Sequence, residues 1–223
     1  MRPILLATLL AAATAPAGAG APIKVVELYQ SQGCSSCPPA ITNANRVANR
    51  SDLLVLDFAV TYWDRLGWKD SFAQPAFTAR QWAYARGGGR PRVHTPQVIV
   101  NGRSAGVGGS PQSFAALIAA ERPLGGPALT FGPGSLSVAG GRGRGDVWLV
   151  RYDPRALPVA IRAGENGGRT IVHRNIVRQL VRLGDWTGAP RRFPVPAGEP
   201  GLATAVLIQE KDGGPILAAA RGG

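Results

Sequence analysis

Sulfur and imidazole are scarce in this chain. Of 223 residues, two are cysteine, one is methionine and two are histidine. The methionine is Met1, so no methionine-rich copper site exists. Acidic residues are also few, 13 against 25 basic ones, for a formal charge of +12. Lysine occurs only at Lys24, Lys69 and Lys211, so the remaining 22 of the 25 basic residues are arginine. The arginines are scattered, and only Arg90/Arg92, Arg142/Arg144 and Arg191/Arg192 lie close together. A nucleic-acid surface calls for a concentrated basic face interleaved with aromatics. The scatter excludes that class, while the charge suits an anionic membrane surface or acidic partners. Beyond the N-terminus no run of about 18 apolar residues exists to span a bilayer. The glycine clusters at Gly87 and Gly167 lack the Walker lysine and the dinucleotide spacing, so no organic cofactor is implied.

The N-terminus reads as a secretory signal over residues 1–19. Arg2 supplies the positive charge, Ile4 to Ala13 the short apolar run, and Ala17-Gly18-Ala19 the cleavage site. The mature protein is expected to be periplasmic or secreted, where a disulfide persists.

The two cysteines stand as Cys34-Ser35-Ser36-Cys37. A disulfide between them closes so short a loop that its chain-entropy gain is about 2 kcal/mol, far below that of a long loop. Such spacing points to redox chemistry or metal binding rather than to a staple. Ile23 to Tyr29 reads as a strand, Leu53 to Val60 as a second, buried strand, and Thr95 to Val100 as a third. Asn101-Gly102 marks a hairpin, with Arg103 to Val107 returning. Pro38-Pro39 fits only the first turn of a helix, which predicts a helix start at about Cys34 to Ser36 and a run to Asn49. Gln74-Pro75 opens a second helix through Ala85, and Ser110-Pro111 a third through Ala120. The order is β-α-β-α-β-β-α over residues 22–122, that of the thioredoxin fold, with C-x-x-C after the first strand. Residues 127–223 are dense in glycine and proline with short apolar runs, and predict a separate, sandwich-like all-β domain. Within it, Ile171 to Leu183 fits either a helix or a strand, and its β-branched content favours a strand.

In this arrangement Cys34, at the exposed end, is the expected nucleophile, and Cys37 the resolving thiol. Pro96, predicted to be cis, and Thr95 before it would position substrate backbone. Glu27, seven residues before Cys34, would lie beneath the pair and take the proton from Cys37. The first two strands should be parallel, which brings the loop bearing Tyr62, Trp63 and Trp68 to the edge where α/β sheets bind ligands. That loop is either a substrate wall or a hydrophobic cover. Two other classes remain open. Cys34, Cys37 and His94 could hold Cu(I) or Zn(II), or the chain could be a non-catalytic interaction protein whose disulfide only fixes the helix start. The leading expectation is a thiol–disulfide oxidoreductase without a cofactor, acting on protein or small-molecule thiols and disulfides.

The segment Val25-Val26-Glu27-Leu28-Tyr29-Gln30-Ser31-Gln32-Gly33-Cys34-Ser35-Ser36-Cys37-Pro38-Pro39-Ala40 closely resembles a bacterial family known as domain-of-unknown-function family 1223. So do Tyr62-Trp63-Asp64, Leu66-Gly67-Trp68-Lys69-Asp70, Phe77-Thr78-Ala79-Arg80-Gln81, Thr95-Pro96-Gln97-Val98-Ile99-Val100-Asn101-Gly102, Gly164-Glu165-Asn166 and Asn175-Ile176-Val177-Arg178. The resemblance implies a thioredoxin-like, exported protein and carries no settled activity. The family pattern has histidine, aspartate and tyrosine where this chain has Ala59, Thr61 and His94, so polar groups beside the pair differ here.

Overall fold

The computed structural model describes residues 23–222; the secretory-signal reading of residues 1–19 lies outside them. Its centre is an eight-stranded mixed sheet. The first half supplies β1 (Lys24–Gln30), α1 (Pro38–Val47), β2 (Leu53–Ala59), α2 (Pro75–Gly87), β3 (Gln97–Val100), β4 (Ser104–Gly106) and α3 (Pro111–Ala119). β1 runs parallel to β2 in register from Lys24↔Leu53 to Gln30↔Ala59, and antiparallel to β3, with β4 at the edge. Successive residues of a strand point to opposite faces. Val26 and Leu28 therefore meet Ala40, Ile41 and Ala44 of α1 and Phe114 and Ile118 of α3. Val25 and Tyr29 meet Phe77 and Tyr84 of α2 on the other face. Burying each large apolar side chain contributes about 1.5–3 kcal/mol.

α1 begins at Pro38, later than the expected start at Cys34 to Ser36. Pro38 and Pro39 fill the first positions, where a missing N–H leaves no helical bond unmade. Cys37 is the N-cap, and its carbonyl accepts the first helical bond from the Ile41 N–H at 3.1 Å. The four residues of the cysteine motif thus form a turn ahead of the helix.

The second half supplies β5 (Leu129–Gly132), β6 (Ser135–Val138), β7 (Gly145–Asp153), β8 (Leu157–Ala160), β9 (Thr170–His173), β10 (Ile176–Trp186), β11 (Arg191–Pro194), β12 (Ala203–Gln209) and β13 (Ile216–Arg221). It is all β, and Ile171 to Leu183 is strand on either side of a turn at Asn175. Segments 22–122 and 127–223 do not form separate sheets. Strands β10, β7, β12 and β13 continue the central sheet from the free edge of β2, giving the order β13-β12-β7-β10-β2-β1-β3-β4. The seam is narrow: Ile176 pairs with Asp57, and the Asp57 N–H donates to the Asn175 carbonyl at 3.0 Å. The core crosses it, since Val150, Val177, Ala205 and Leu207 cluster with Leu54, Leu56 and Phe58. The sandwich-like part is the sheet β11-β6-β5, whose Leu136, Val138 and Phe193 pack with Val147, Leu149 and Val206 of the extension. The β8–β9 hairpin stands apart from both sheets and lies against α1: Ile161 and Ile171 enter the α1 core, and Asn45 Nδ2 donates to the Val172 carbonyl at 2.7 Å.

Candidate functional site

Cys34 and Cys37 are joined by a disulfide, with their Cα atoms 5.4 Å apart. The turn that holds them is fixed by main-chain bonds, Cys34 N–H to the Ser31 carbonyl and Cys37 N–H to the Cys34 carbonyl, each at 3.1 Å. Ser36 Oγ lies 3.3 Å from Cys34 Sγ. Both cysteines are fully buried, which corrects the expectation of an exposed Cys34, although Ser35 and Ser36 between them reach solvent.

Two loops enclose the pair. The first follows β2. The Trp63 indole N–H donates to Thr95 Oγ1 at 2.7 Å, and the Trp68 indole N–H donates to Gln32 Oε1 at 2.9 Å. Asp70 accepts the Gln32 N–H at 2.7 Å and the Phe72 N–H at 2.8 Å. Burial raises the Asp70 carboxyl above its ordinary range, while those two hydrogen bonds oppose the shift. Tyr62 donates to Gln81 Oε1 at 3.2 Å, and burial pushes its hydroxyl up to about 12. The second loop joins β8 to β9. Asn166 Nδ2 donates to the carbonyls of Gln32 and Cys34, at 2.9 and 2.8 Å. Glu165 Oε2 accepts the Ser35 N–H at 3.1 Å, and the Ser35 hydroxyl first and this N–H second lower its carboxyl below the usual value.

Of the residues expected from sequence, Trp63 and Trp68 pack against the core cluster that holds Cys34 and Cys37, and Thr95 joins them through its bond from Trp63. The Thr95–Pro96 peptide is cis, and Pro96 is buried. Tyr62 flanks the group through Gln81, which also donates to the His94 carbonyl. His94 is exposed, its Nδ1 3.0 Å from the Pro96 carbonyl oxygen. Among the described residues, no three His, Cys, Asp or Glu side chains gather as a metal-holding group.

Glu27 is the second correction. It lies on the α2 face of the sheet, opposite the disulfide, because it is one residue out of phase with Val26 and Leu28. It is fully buried and ion-paired to Arg80 at 2.8 Å, and the Tyr29 hydroxyl lies 3.5 Å from its other oxygen. Burial opposes the Arg80 charge, but Glu27, Tyr84 and Tyr29 outweigh it and hold the guanidinium protonated. Glu27 is therefore not beneath Cys37. The buried titratable pair on the α1 face is Asp57 with His173, Oδ2 to Nδ1 at 3.0 Å. His173 drew no role from sequence, and nothing in the sequence pairs it with Asp57, 116 positions away. Asp57 Oδ1, His173 Nε2 and both amide atoms of the neighbouring Gln30 have no partner, an arrangement that suits buried water. Sequence reasoning also missed Asn166 and Glu165 as site residues. Gly164-Glu165-Asn166 carries part of the family resemblance, but nothing in the segment says what it touches.

The chain belongs to the DUF1223 family, described as proteins of unknown function, whose model matches residues 25–209. It is similar to an Agrobacterium tumefaciens protein solved by X-ray crystallography, at 30% identity and a TM-score of 0.74, over 91% of this chain and 95% of that one. It also resembles HBP35 of Porphyromonas gingivalis at 14% identity and a TM-score of 0.53, over 92% of this chain and 76% of that one, a likeness of fold. Among curated proteins none matches.

Proposed function

We propose that this DUF1223 member is an exported, thioredoxin-like thiol–disulfide oxidoreductase working through Cys34 and Cys37. The observation that carries the reading is the disulfide itself, which the chain's only cysteines form across one turn between β1 and α1; Trp63, packed against the cluster that holds them, donates to Thr95 of the cis Thr95–Pro96 peptide. The sheet order β2-β1-β3-β4, with α1 and α3 on one face and α2 on the other, supports the thioredoxin-like comparison. The Cys34 thiolate attacks a partner disulfide and one partner thiolate departs; the Cys37 thiolate then attacks Cys34 Sγ, releases the second partner thiolate and re-forms the Cys34–Cys37 bond, and the reverse sequence oxidises a dithiol partner. The pair is poised as a reductant. Pro38 and Pro39 offer no N–H to a Cys34 thiolate, the Cys37 N–H is used by the Cys34 carbonyl and the Ser35 N–H by Glu165, which leaves the neutral Ser36 hydroxyl, 3.3 Å from Cys34 Sγ, as the near donor. A poorly stabilised reduced form makes a weak oxidant. Export rests on the signal-like N-terminus, and the substrates are thiols or disulfides of proteins or small molecules.

The test is the reduction potential of the Cys34–Cys37 pair in metal-free glutathione buffers, read by alkylation and mass. A two-electron couple between about −270 and −120 mV is expected, nearer the lower bound. A pair still oxidised well below about −300 mV is a structural bond and sinks the reading.

A further inference from the structure

The cysteine turn is bonded by a piece of the chain that reaches it from 130 residues away. Residues 161–169 join β8 to β9 beyond their last pair, Ala160↔Thr170. Ile161 anchors the base of this loop in the α1 core. Its tip is flanked by glycines, Gly164 at φ +71° on one side and Gly167 and Gly168, the latter at φ +82°, on the other. The tip rests on the aromatic loop, where a Cβ at Gly164 would come within 3.2 Å of Trp68 Cβ. Asn166, fully buried, donates to the Gln32 and Cys34 carbonyls, and Glu165 accepts from the Ser35 N–H. The tip therefore satisfies two main-chain acceptors and one main-chain donor around the reactive sulfur. Those are the groups an extended polypeptide would bond with its own N–H and C=O if it lay along the motif. A carboxamide and a carboxylate occupy their places.

We propose that the Gly164–Asn166 turn is a latched cover on Cys34, which a polypeptide substrate displaces by taking over these three main-chain bonds. The proposal rests on the oxidoreductase reading and deepens it: the substrate class is a cysteine-bearing polypeptide in extended form, and access is gated. With no sulfur surface exposed, neither cysteine presents a line of attack until the turn lifts. Once it has lifted, a polypeptide thiolate attacks Cys34 Sγ. The new S–S bond forms as the Cys34–Cys37 bond breaks, and the electron pair leaves on Cys37, which takes a proton from water. A second polypeptide thiolate then attacks the substrate sulfur of the mixed disulfide. Cys34 departs as a thiolate, leaving the polypeptide oxidised and the pair reduced. The reverse sequence reduces a disulfide substrate.

The experiment follows reduction of the disulfide in the full mature chain by a small water-soluble phosphine and by a ten-residue peptide carrying two thiols. Wild type is compared with Asn166→Ala, which removes the latch, and with Gly164→Ala, which strains the turn and presses it off Trp68 without touching the latch. A melting curve confirms that each variant is folded, and either folded variant suffices. Loss of two ordinary hydrogen bonds predicts a phosphine rate about tenfold to thirtyfold higher for Asn166→Ala. The peptide's half-saturation concentration should fall together with the rise in rate. Phosphine rates within twofold of wild type in the folded variants would overturn the cover. A faster phosphine reaction with unchanged peptide saturation would overturn the polypeptide part. Failure of the oxidoreductase reading shows elsewhere, in the reduction potential, since the phosphine rate reports access whatever the pair does in exchange.

Discussion

Glu27→Gln should damage the fold and leave the redox pair almost untouched. Glu27 and Arg80 have side chains 0% and 4% exposed, and they meet at 2.8 Å in the core between the sheet and α2. Removing one partner of a buried ion pair strands the other charge, which typically costs 3–5 kcal/mol. Here the lower end applies. The glutamine carbonyl still accepts from Arg80 Nε, the Tyr84 hydroxyl still accepts from Arg80 Nη2 at 3.1 Å, and the guanidinium lies 5.3 Å from the Tyr84 ring centroid and 5.6 Å from that of Trp148. The expected loss is about 3 kcal/mol, a large fraction of the roughly 5–15 kcal/mol that holds a domain folded. Urea unfolding at pH 7 should show a lower midpoint with an unchanged slope. Replacing both partners, as Glu27→Leu with Arg80→Met, should recover most of the loss, because well-packed apolar residues substitute for a buried pair at little net cost. The Cys34–Cys37 potential and the rate of mixed-disulfide resolution should match wild type, since the sheet separates Glu27 from the sulfurs. A variant of near-normal stability with slowed resolution would refute this reasoning and restore Glu27 as the proton acceptor.

Two further predictions address the seam and the surface. Asn175, at φ 52°, donates to the carbonyls of Ala48 (3.2 Å) and Val55 (3.0 Å) where β10 meets β2. Asn175→Ala should cost about 2–4 kcal/mol from two stranded buried carbonyls plus a strained left-handed backbone, and Asn175→Gly about 1 kcal/mol less, because glycine relieves only the strain; equal losses in urea melts would remove the backbone part of the account. Asp185 has its carboxyl lowered to about 2 by hydrogen bonds from Lys211 and then Arg182. A depressed carboxyl stabilises the fold above its unfolded value and loses that effect as pH falls through the folded one. The midpoint difference between wild type and Asp185→Asn should therefore be present at pH 7, close between about pH 4 and 2, and shrink in high salt; a difference that persists at pH 2 would contradict the assignment.

Much of the fold could be read locally. The strands β1, β2 and β3, the hairpin at Asn101-Gly102 and the capped helix after Ser110 are each written in a few adjacent residues, through β-branched runs, turn chemistry or a proline after a serine. The capping box of Ser110 with Ser113 is the structural counterpart of that last signal. What could not be read was how the second half attaches. The texture change near Pro127 is real, since everything after it is strand and loop. But whether glycine-rich strands fold apart or extend an existing sheet depends on an edge being free, and β2's free edge is a property of the assembled first half. The register point Ile176↔Asp57 joins residues that no local pattern connects.

The site divides along the same line, and Glu27 shows the finer reason. Seven residues before Cys34, it stands close enough in sequence to suggest the right depth, yet strand parity puts it on the wrong face. Parity was available in the sequence: Val26 and Leu28 share the face of α1, and Glu27 alternates with them. The same alternation puts Gln30 of β1, and Val55, Asp57 and Ala59 of β2, on the α1 face. Of these, Gln30 and Asp57, not Glu27, hold unpartnered polar atoms. The residues that touch the cysteine turn from afar, Asn166 and Glu165, are of a different kind. Nothing in a turn's sequence says what it will cover, because its target is chosen by the hairpin beneath it, and that hairpin is aimed by Ile161 and Ile171 packing into the α1 core. The same packing makes the chemistry of the pair depend on both halves of the chain. A fragment ending near residue 122 would keep the cysteines but lose the Asn166 and Glu165 contacts, and with them the closed state in which no sulfur meets solvent.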